Sequence, residues 1–215
     1  MNKEVKHCAN DALLMGYAAG VLPEAFDLVI ASHLALSDES RARLESFEAV
    51  GGTVMDEVAP VEMGAGALDA VFNMIEAGPK TLDPEPRLEG VFPTPLQEYI
   101  GGDVDAVKWK SIGMGVKQFI IPTSEDATVR LLYIPAGSAV PDHGHQGTEL
   151  TLVLQGAFSD HVDRFARGDL EIATEDLEHT PVAEEGEACI CLAATDAPLK
   201  FKSLIPRIAQ PFLKI

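Results

Sequence analysis

Two histidines and a glutamate lie close together in the segment GSAVPDHGHQGTELTLVLQG, residues 137–156. His143 and His145 are two residues apart, so both imidazoles point to one face if the segment is extended. Glu149 follows four residues later, an even spacing that can return its carboxylate to the same face. Two neutral imidazoles and a carboxylate form a ligand set for a divalent transition metal. His179, which comes just before a later strand, is the candidate for a fourth ligand.

A second histidine spacing occurs near the N-terminus, in HLALSDES, residues 33–40. His33 is followed by Ser37 and Ser40, and cysteines at the two serine positions would give H-x₃-C-x₂-C, a zinc-ligand spacing. A serine hydroxyl stays protonated near neutral pH, so two alcohols cannot replace two thiolates without losing most of the zinc affinity. We therefore expect that zinc no longer holds this part of the chain together.

Cys189 and Cys191 lie in the apolar run EACICLAA. Residues two apart on a strand have Cα atoms about 6.6 Å apart, at the edge of disulfide reach, so a bridge would require a distorted strand. Buried cysteines often act as small hydrophobic residues, and this interpretation is favoured. A role as two separate oxidant-sensitive thiols stays open.

The elements that position these residues fall into two classes. Residues 1–78 carry apolar residues at helical spacing, with Asn10 as one N-cap and Ser37 or Asp38 as another. The helix that starts there is predicted to end near Gly51–Gly52.

After a proline-rich linker over residues 79–94, the pattern changes to short β-type runs separated by Gly, Pro and Asp turns. Residues 95–215 are thus predicted to form an all-β sandwich or barrel. The fold class is a small N-terminal helical domain, residues 1–78, joined to a C-terminal β domain.

Composition excludes several classes of function. The 215 residues include 16 Lys and Arg against 34 Asp and Glu, a net charge of −18, which disfavours direct nucleic-acid binding. The sequence has no membrane-spanning apolar stretch and its N-terminus has no signal-peptide pattern, so neither membrane insertion nor secretion is expected. Three cysteines, an odd number, indicate a reducing compartment, and we expect a cytoplasmic protein.

The β half resembles the cupin family. The first cupin motif is matched throughout, at Gly137, His143, His145, Glu149 and Gly156. The second is matched in part: Gly168 and His179 fit, whereas Thr174, Asp176 and Ala183 replace the usual Pro, Gly and Asn. The resemblance implies a double-stranded β-helix barrel over residues 95–215. It also implies one divalent metal, zinc in the first place and otherwise Mn, Fe or Ni, held by His143, His145, Glu149 and His179.

The helical half resembles the zinc-binding anti-sigma domain, because four positions keep the spacing H-x₂₅-H-x₃-[C]-x₂-[C]. These positions are His7, His33, Ser37 and Ser40. An anti-sigma domain followed by a cupin domain resembles the ChrR family of anti-sigma factors. Segments such as VPDHGH, ELTLVLQGAF and CICLAATDAPL extend this resemblance over nearly the whole chain.

The ChrR resemblance implies a regulator of transcription. The helical domain would bind an extracytoplasmic-function sigma factor and keep it from core RNA polymerase, and the cupin domain would release it under oxidative stress such as singlet oxygen. A helix over residues 68–76 would pack on the partner or, alternatively, in the domain's own core. Its anchors would be Leu68, Val71, Phe72 and Ile75.

Two questions stay open at this point. The alternative function is a metal-dependent cupin enzyme, such as a dioxygenase, with a helical appendage. The two serines have three explanations: a natural zinc-independent member of the family, an engineered Cys-to-Ser variant, or a paralogue that has lost sigma binding. The first is favoured.

Overall fold

The computed structural model describes residues 5–78, 89–175, 177–198 and 200–201. A helical N-terminal region precedes a β-sheet cupin domain, as the sequence predicts. The helices of the described residues are α1 (Asp11–Ala18), α2 (Glu24–Leu34), α3 (Asp38–Asp56), α4 (Ala67–Ala77), α5 (Thr94–Ile100) and a short 3₁₀ helix (Val104–Ala106). Among these residues, no helix is both long and apolar enough to cross a lipid bilayer.

Side-chain caps start two of the helices. The Asn10 side chain accepts a hydrogen bond from the backbone N–H of Leu13 at 2.9 Å, and the Ser37 hydroxyl accepts one from Ser40 N–H at 3.2 Å. Both predicted caps are therefore confirmed. The predicted end of the third helix was wrong, because α3 continues through Gly51–Gly52 to Asp56.

The two glycines of α3 do not end the helix because neither adopts a positive φ. A helical glycine costs only about 1 kcal/mol relative to alanine, and helix-compatible residues follow. The helix stops shortly before Pro60, where a proline disfavours helical backbone in the residue before it.

The described residues of the β domain form three sheets. The strands are β1 (Lys110–Gly113), β2 (Val116–Ile121), β3 (Thr128–Ile134), β4 (His143–Gly144), β5 (Glu149–Gln155), β6 (Ala157–Ser159), β7 (Arg164–Ala166), β8 (Leu170–Ala173), β9 (Glu178–His179), β10 (Val182–Ala183), β11 (Cys189–Thr195) and β12 (Lys200–Phe201). The largest sheet has the order β1-β2-β3-β11-β5-β8, and the two smaller sheets have the orders β10-β6-β7 and β12-β4-β9. The predicted C-terminal run beyond Phe201 lies outside the described residues.

The central strands of the large sheet are buried on both faces, which explains their continuous apolar sequence. One face of β11, with Cys189 and Cys191, joins an apolar cluster that includes Val153 of β5. The other face, with Ile190 and Leu192, belongs to a larger core that also contains the buried residues of α2. The helical region thus uses the cupin sheet as part of its own core.

Helix α2 packs against the other helices on one side and against the large sheet on the other. Polar contacts fix its first turn. Glu24 accepts a hydrogen bond from Ser124 N–H at 2.6 Å and another from the Tyr99 hydroxyl of α5. Helix α5 begins at Thr94, next to the predicted start of the β domain. Most of the predicted linker, residues 79–88, lies outside the described part of the chain, so the division into 1–78, 79–94 and 95–215 stays a prediction.

Candidate metal centre

Three buried histidines meet in the small sheet that contains β4 and β9. His143 on β4 pairs directly with His179 on β9, and His145 follows β4 immediately. The three residues are at most 4% exposed. One nitrogen from each imidazole lies within 4.8 Å of the other two, close enough for all three to bind one ion. The alternation of an extended segment therefore places His143 and His145 together as predicted, and strand pairing supplies His179.

The hydrogen bonds of the outer ring nitrogens determine which nitrogens face the centre. His179 Nδ1 lies 2.8 Å from Asp160 Oδ2 and 3.2 Å from Glu171 Oε1, so Nδ1–H donates outwards. His143 Nδ1–H donates to the carbonyl oxygen of Pro141 at 2.8 Å. These contacts favour the tautomer whose Nε2 accepts, as in metal sites where a second hydrogen bond orients each histidine.

Within the histidine cluster, three buried nitrogens have no hydrogen-bond partner among the described residues. They are Nε2 of His179 and both ring nitrogens of His145. Buried polar atoms are nearly always satisfied, so unpaired nitrogens on two neighbouring imidazoles require an explanation. A divalent cation bound through one nitrogen of each imidazole would satisfy Nε2 of His179 and one nitrogen of His145, and the residues present therefore fit a metal.

Glu149 lies beside the cluster at the start of β5. Its Oε2 is 3.6 Å from His145 Nδ1, and its Oε1 accepts a hydrogen bond from Thr151 at 3.1 Å. Among the described residues, two sets have ligand atoms mutually within 4.8 Å, the three histidines and the trio Asp160, Glu171 and His179, and Glu149 belongs to neither. The structure thus brings three predicted ligands together and places the fourth next to one of them.

The electrostatics differ among the histidines. Burial is the largest effect on the pKa of His143 and of His145, and it lowers both, which favours the neutral form that a metal requires. Burial also acts to lower the pKa of His179. The hydrogen bonds and charges of Glu171 and Asp160 together outweigh that effect, so the pKa of His179 is raised.

The sequence pattern did not indicate Asp160 and Glu171, the two carboxylates that lie against His179 Nδ1. Glu171 carried a usable signal, because it is a charged residue inside the apolar strand LEIA and is 5% exposed. Asp160 lies in an ordinary polar turn between β6 and β7, and only the tertiary structure reveals its role.

The histidine–serine positions of the helical region form a hydrogen-bonded network. His33 is fully buried, and its Nδ1–H donates to the Gly168 carbonyl oxygen of the cupin domain at 2.9 Å. Its Nε2 accepts from the Ser40 hydroxyl at 2.8 Å and from Ala9 N–H at 3.2 Å. The Ser37 hydroxyl donates to Ser40 Oγ at 3.1 Å. Both nitrogens of His33 are therefore engaged, and burial lowers its pKa, in keeping with a neutral ring.

His7, the fourth position of the zinc spacing, faces the cupin domain. Its ring packs against Phe165 with centroids 4.5 Å apart, and its Nε2 lies 3.6 Å from Asp163 Oδ2. The structure therefore brings His33, Ser37 and Ser40 together and turns the side chain of His7 toward other partners.

Ser40→Ala is expected to lower the free energy of unfolding by about 1–3 kcal/mol, because it removes a buried donor to His33. Urea unfolding followed by circular dichroism measures this change. Ser46→Ala on the exposed side of the same helix is the matched control and should change stability by less than about 0.5 kcal/mol. Equal effects of the two substitutions would contradict the role given to the network.

The two strand cysteines are free thiols whose Sγ atoms lie 3.5 Å apart. Cys189 is 0% and Cys191 is 1% exposed. The hydrogen bond between them and the burial of the site raise the pKa of Cys191 well above its ordinary value. A protonated, inaccessible thiol reacts slowly with oxidants, so the geometry favours the structural role over the redox role.

The predicted partner helix corresponds to α4, and its apolar face is open. Leu68 is 65%, Phe72 54% and Ile75 67% exposed, and Val71 is 47% exposed. No residue of α4 is buried against the part of the chain that the structure describes. Packing against the described residues, the alternative explanation for this apolar face, therefore does not occur.

A histidine cluster between the strands of a β-sheet domain, preceded by a helical region, defines a cupin protein with an N-terminal helical extension. The ChrR cupin-like domain family matches residues 97–198. The chain is 54% identical over 211 residues to the anti-sigma-E factor ChrR of Cereibacter sphaeroides, covering 98% of this chain and 99% of that protein. The chain belongs to the ChrR family of anti-sigma factors.

A solved structure agrees with this assignment. The crystal structure of Rhodobacter sphaeroides SigE in complex with the anti-sigma ChrR matches with a TM-score of 0.77 and 54% sequence identity. The match covers 89% of this chain and 99% of that chain.

Proposed function

We propose that this protein is an anti-sigma factor. Its helical region would sequester an extracytoplasmic-function sigma factor, and its cupin domain would release that factor in response to an oxidant such as singlet oxygen. The exposed apolar face of α4 carries the proposal, because a surface helix in water otherwise turns such a face inward. The complex of the related ChrR with SigE supports a sigma factor as the occupant.

A second group of exposed apolar residues also favours a partner. Val50 and Val54, 62% and 60% exposed, lie one turn apart near the end of α3, and Val58, 69% exposed, follows two residues after the helix. Exposed apolar residues grouped in this way are typical of an interaction site. We expect that α3 and α4 both contact the sigma factor.

The charge of the helical region suits such a partner. Residues 1–78 contain 4 Lys and Arg against 13 Asp and Glu. A sigma factor needs a basic surface to bind DNA, and an acidic protein is attracted to that surface. The complex would form in the cytoplasm, where RNA polymerase acts.

One divalent ion, zinc in the first place, would occupy the cupin site. Nε2 of His143 and His179, one nitrogen of His145, and the Glu149 carboxylate would hold it. A metal there supplies a fixed positive charge and a Lewis acid. The chain's own residues orient the ligands, and burial keeps His143 and His145 neutral for binding. The helical region would need no zinc, because the hydrogen bonds of the network already pair the buried polar groups of His33 and the two serines.

Co-expression with an extracytoplasmic-function sigma factor of the same organism tests the proposal. We expect the two proteins to co-purify as a stable complex from cells grown without oxidant. Folding of each protein alone, checked by circular dichroism, is the control. Failure of two folded proteins to associate would contradict the proposed function.

A metal-dependent enzyme is the second candidate function, and the histidine site is the observation that favours it. Three imidazoles and one carboxylate leave coordination positions open for O₂ or a substrate. Oxygen consumption with a candidate substrate that disappears in His143→Ala would support this alternative.

A further inference from the structure

The segment Val5–Ala9, here called the docking segment, binds the edge of the cupin domain through its backbone. Asp169 Oδ1 accepts hydrogen bonds from the N–H groups of Lys6 and His7, at 2.6 Å and 3.0 Å. Leu170 N–H donates to the His7 carbonyl oxygen at 2.9 Å. Asp169 is 3% exposed, so water competes poorly with these bonds.

The far end of the docking segment is tied to the helical region. Ala9 N–H donates to His33 Nε2 at 3.2 Å, and Arg43 donates to the Ala9 carbonyl oxygen at 3.0 Å. His33 also reaches the cupin domain at Gly168. Gly168 has φ +92°, and a Cβ there would lie 2.7 Å from Val5 Cγ2, so the docking segment and the cupin edge are in close contact.

The same cupin edge carries one of the carboxylates that orient the metal site. Glu171 lies two residues after Asp169, and its Oε1 is 3.2 Å from His179 Nδ1, close enough for an ion pair with a protonated or metal-bound imidazole. Strand β8 therefore contacts the docking segment at its first residue, Leu170, and contacts the metal-site histidine at the next residue, Glu171.

The second orienting carboxylate is also linked to the docking segment. Asp160 accepts from the N–H groups of Val162 and Asp163, at 2.8 Å and 3.0 Å, in one tight turn. The His7 side chain reaches that turn at Asp163. Both carboxylates that contact His179 thus lie on segments that the docking segment touches.

We propose that metal occupancy of the cupin site and docking of Val5–Ala9 are energetically coupled. A metal on Nε2 of His179 fixes the ring and keeps its Nδ1–H aimed at Asp160 and Glu171. These carboxylates then hold β8 and the β6–β7 turn in the arrangement that binds the docking segment. Loss of the metal frees the ring, and the docking segment is held less firmly. This inference rests on the metal site proposed above and supplies a route from that site to the helical region.

Hydrogen exchange of the full-length protein with and without Zn²⁺ tests the coupling directly. The amides of Lys6, His7 and Leu170 should exchange at least about fivefold more slowly with zinc, the lower end of typical coupling between two sites. The amides of Val91 and Phe92 are the control, because Asp103 binds them in the same way away from the histidines.

Coupling is reciprocal, so weakening the docking segment must weaken zinc binding. Asp169→Asn keeps every candidate ligand and should lower zinc affinity about fivefold or more, measured by competition with a chelating dye. Asp103→Asn is the matched control and should leave zinc affinity unchanged. If Asp169→Asn fails to fold, the hydrogen-exchange measurement on the wild-type protein tests the coupling by itself.

The outcomes separate this inference from the proposal on which it rests. A wild-type protein that binds neither zinc nor Mn, Fe or Ni overturns both the metal site and the coupling. Normal zinc binding with equal exchange of the docking segment in both states, and unchanged affinity in Asp169→Asn, overturns the coupling alone. Neither measurement involves the sigma factor, so the anti-sigma function is tested independently.

Discussion

Phe72→Asp is expected to weaken binding of the sigma factor by about 100-fold, which corresponds to about 2.7 kcal/mol. Phe72 lies at the centre of the exposed apolar face of α4 and is itself 54% exposed. Aromatic anchors at the centre of an interface contribute most of its binding energy, and a buried aspartate in the complex would also lose hydration. Titration of a fluorescently labelled sigma factor gives the dissociation constant of each variant.

Asn73→Asp is the matched control for this substitution. It introduces the same charge on the same helix, on the side away from Leu68 and Ile75. We expect its dissociation constant to stay within about threefold of the wild-type value, since rim charges contribute little to affinity. An equal loss of affinity in both variants would indicate a general effect of the added charge. It would contradict the assignment of the apolar face of α4 as the sigma-binding surface.

The second large effect is expected at the metal site, where substitutions should change metal content and zinc affinity. Purified wild-type protein should contain about one metal ion per chain, and His179→Ala should contain almost none, because the site loses one of the few ligands that hold the ion. Glu171→Gln and Asp160→Asn should each lower zinc affinity about 10- to 100-fold, since each removes a charge that orients His179. Elemental analysis gives the metal content, and chelator competition gives the affinity.

His161→Ala is the control, because His161 is an exposed histidine one residue from Asp160. Its metal content should equal that of the wild-type protein. Full occupancy in His179→Ala would show that the three-histidine assignment is wrong. A stoichiometry near two, with zinc at His7 and His33, would contradict the conclusion that the serine network has replaced the helical site.

The sequence predicted the features that depend on local periodicity. His143 and His145 could be paired because two residues on an extended segment share a face, and the caps at Asn10 and Ser37 depend on their own turns. The apolar face of α4 could be predicted from helical spacing in the same way. The exposure of that face could not be predicted, because a helical pattern is the same whether the face packs in the protein's own core or on a partner.

Features that depend on tertiary contacts were missed. Asp160 and Glu171 lie on elements that do not pair with β9, so they meet His179 only through the packing of separate sheets. Spacing alone grouped His7 with His33, whereas the docking segment turns His7 toward Phe165. The glycines of α3 predict a helix end because a glycine often follows the last turn, but the helix tolerates their small penalty and continues for one more turn.

Competition for the sigma factor tests the anti-sigma function most directly. Core RNA polymerase and the sigma factor are mixed with increasing amounts of this protein, and the holoenzyme that forms is measured by transcription from a promoter specific to that factor. The account predicts that an equimolar amount of wild-type protein suppresses the transcript and that Phe72→Asp does not. Undiminished transcription in an excess of folded wild-type protein would contradict it.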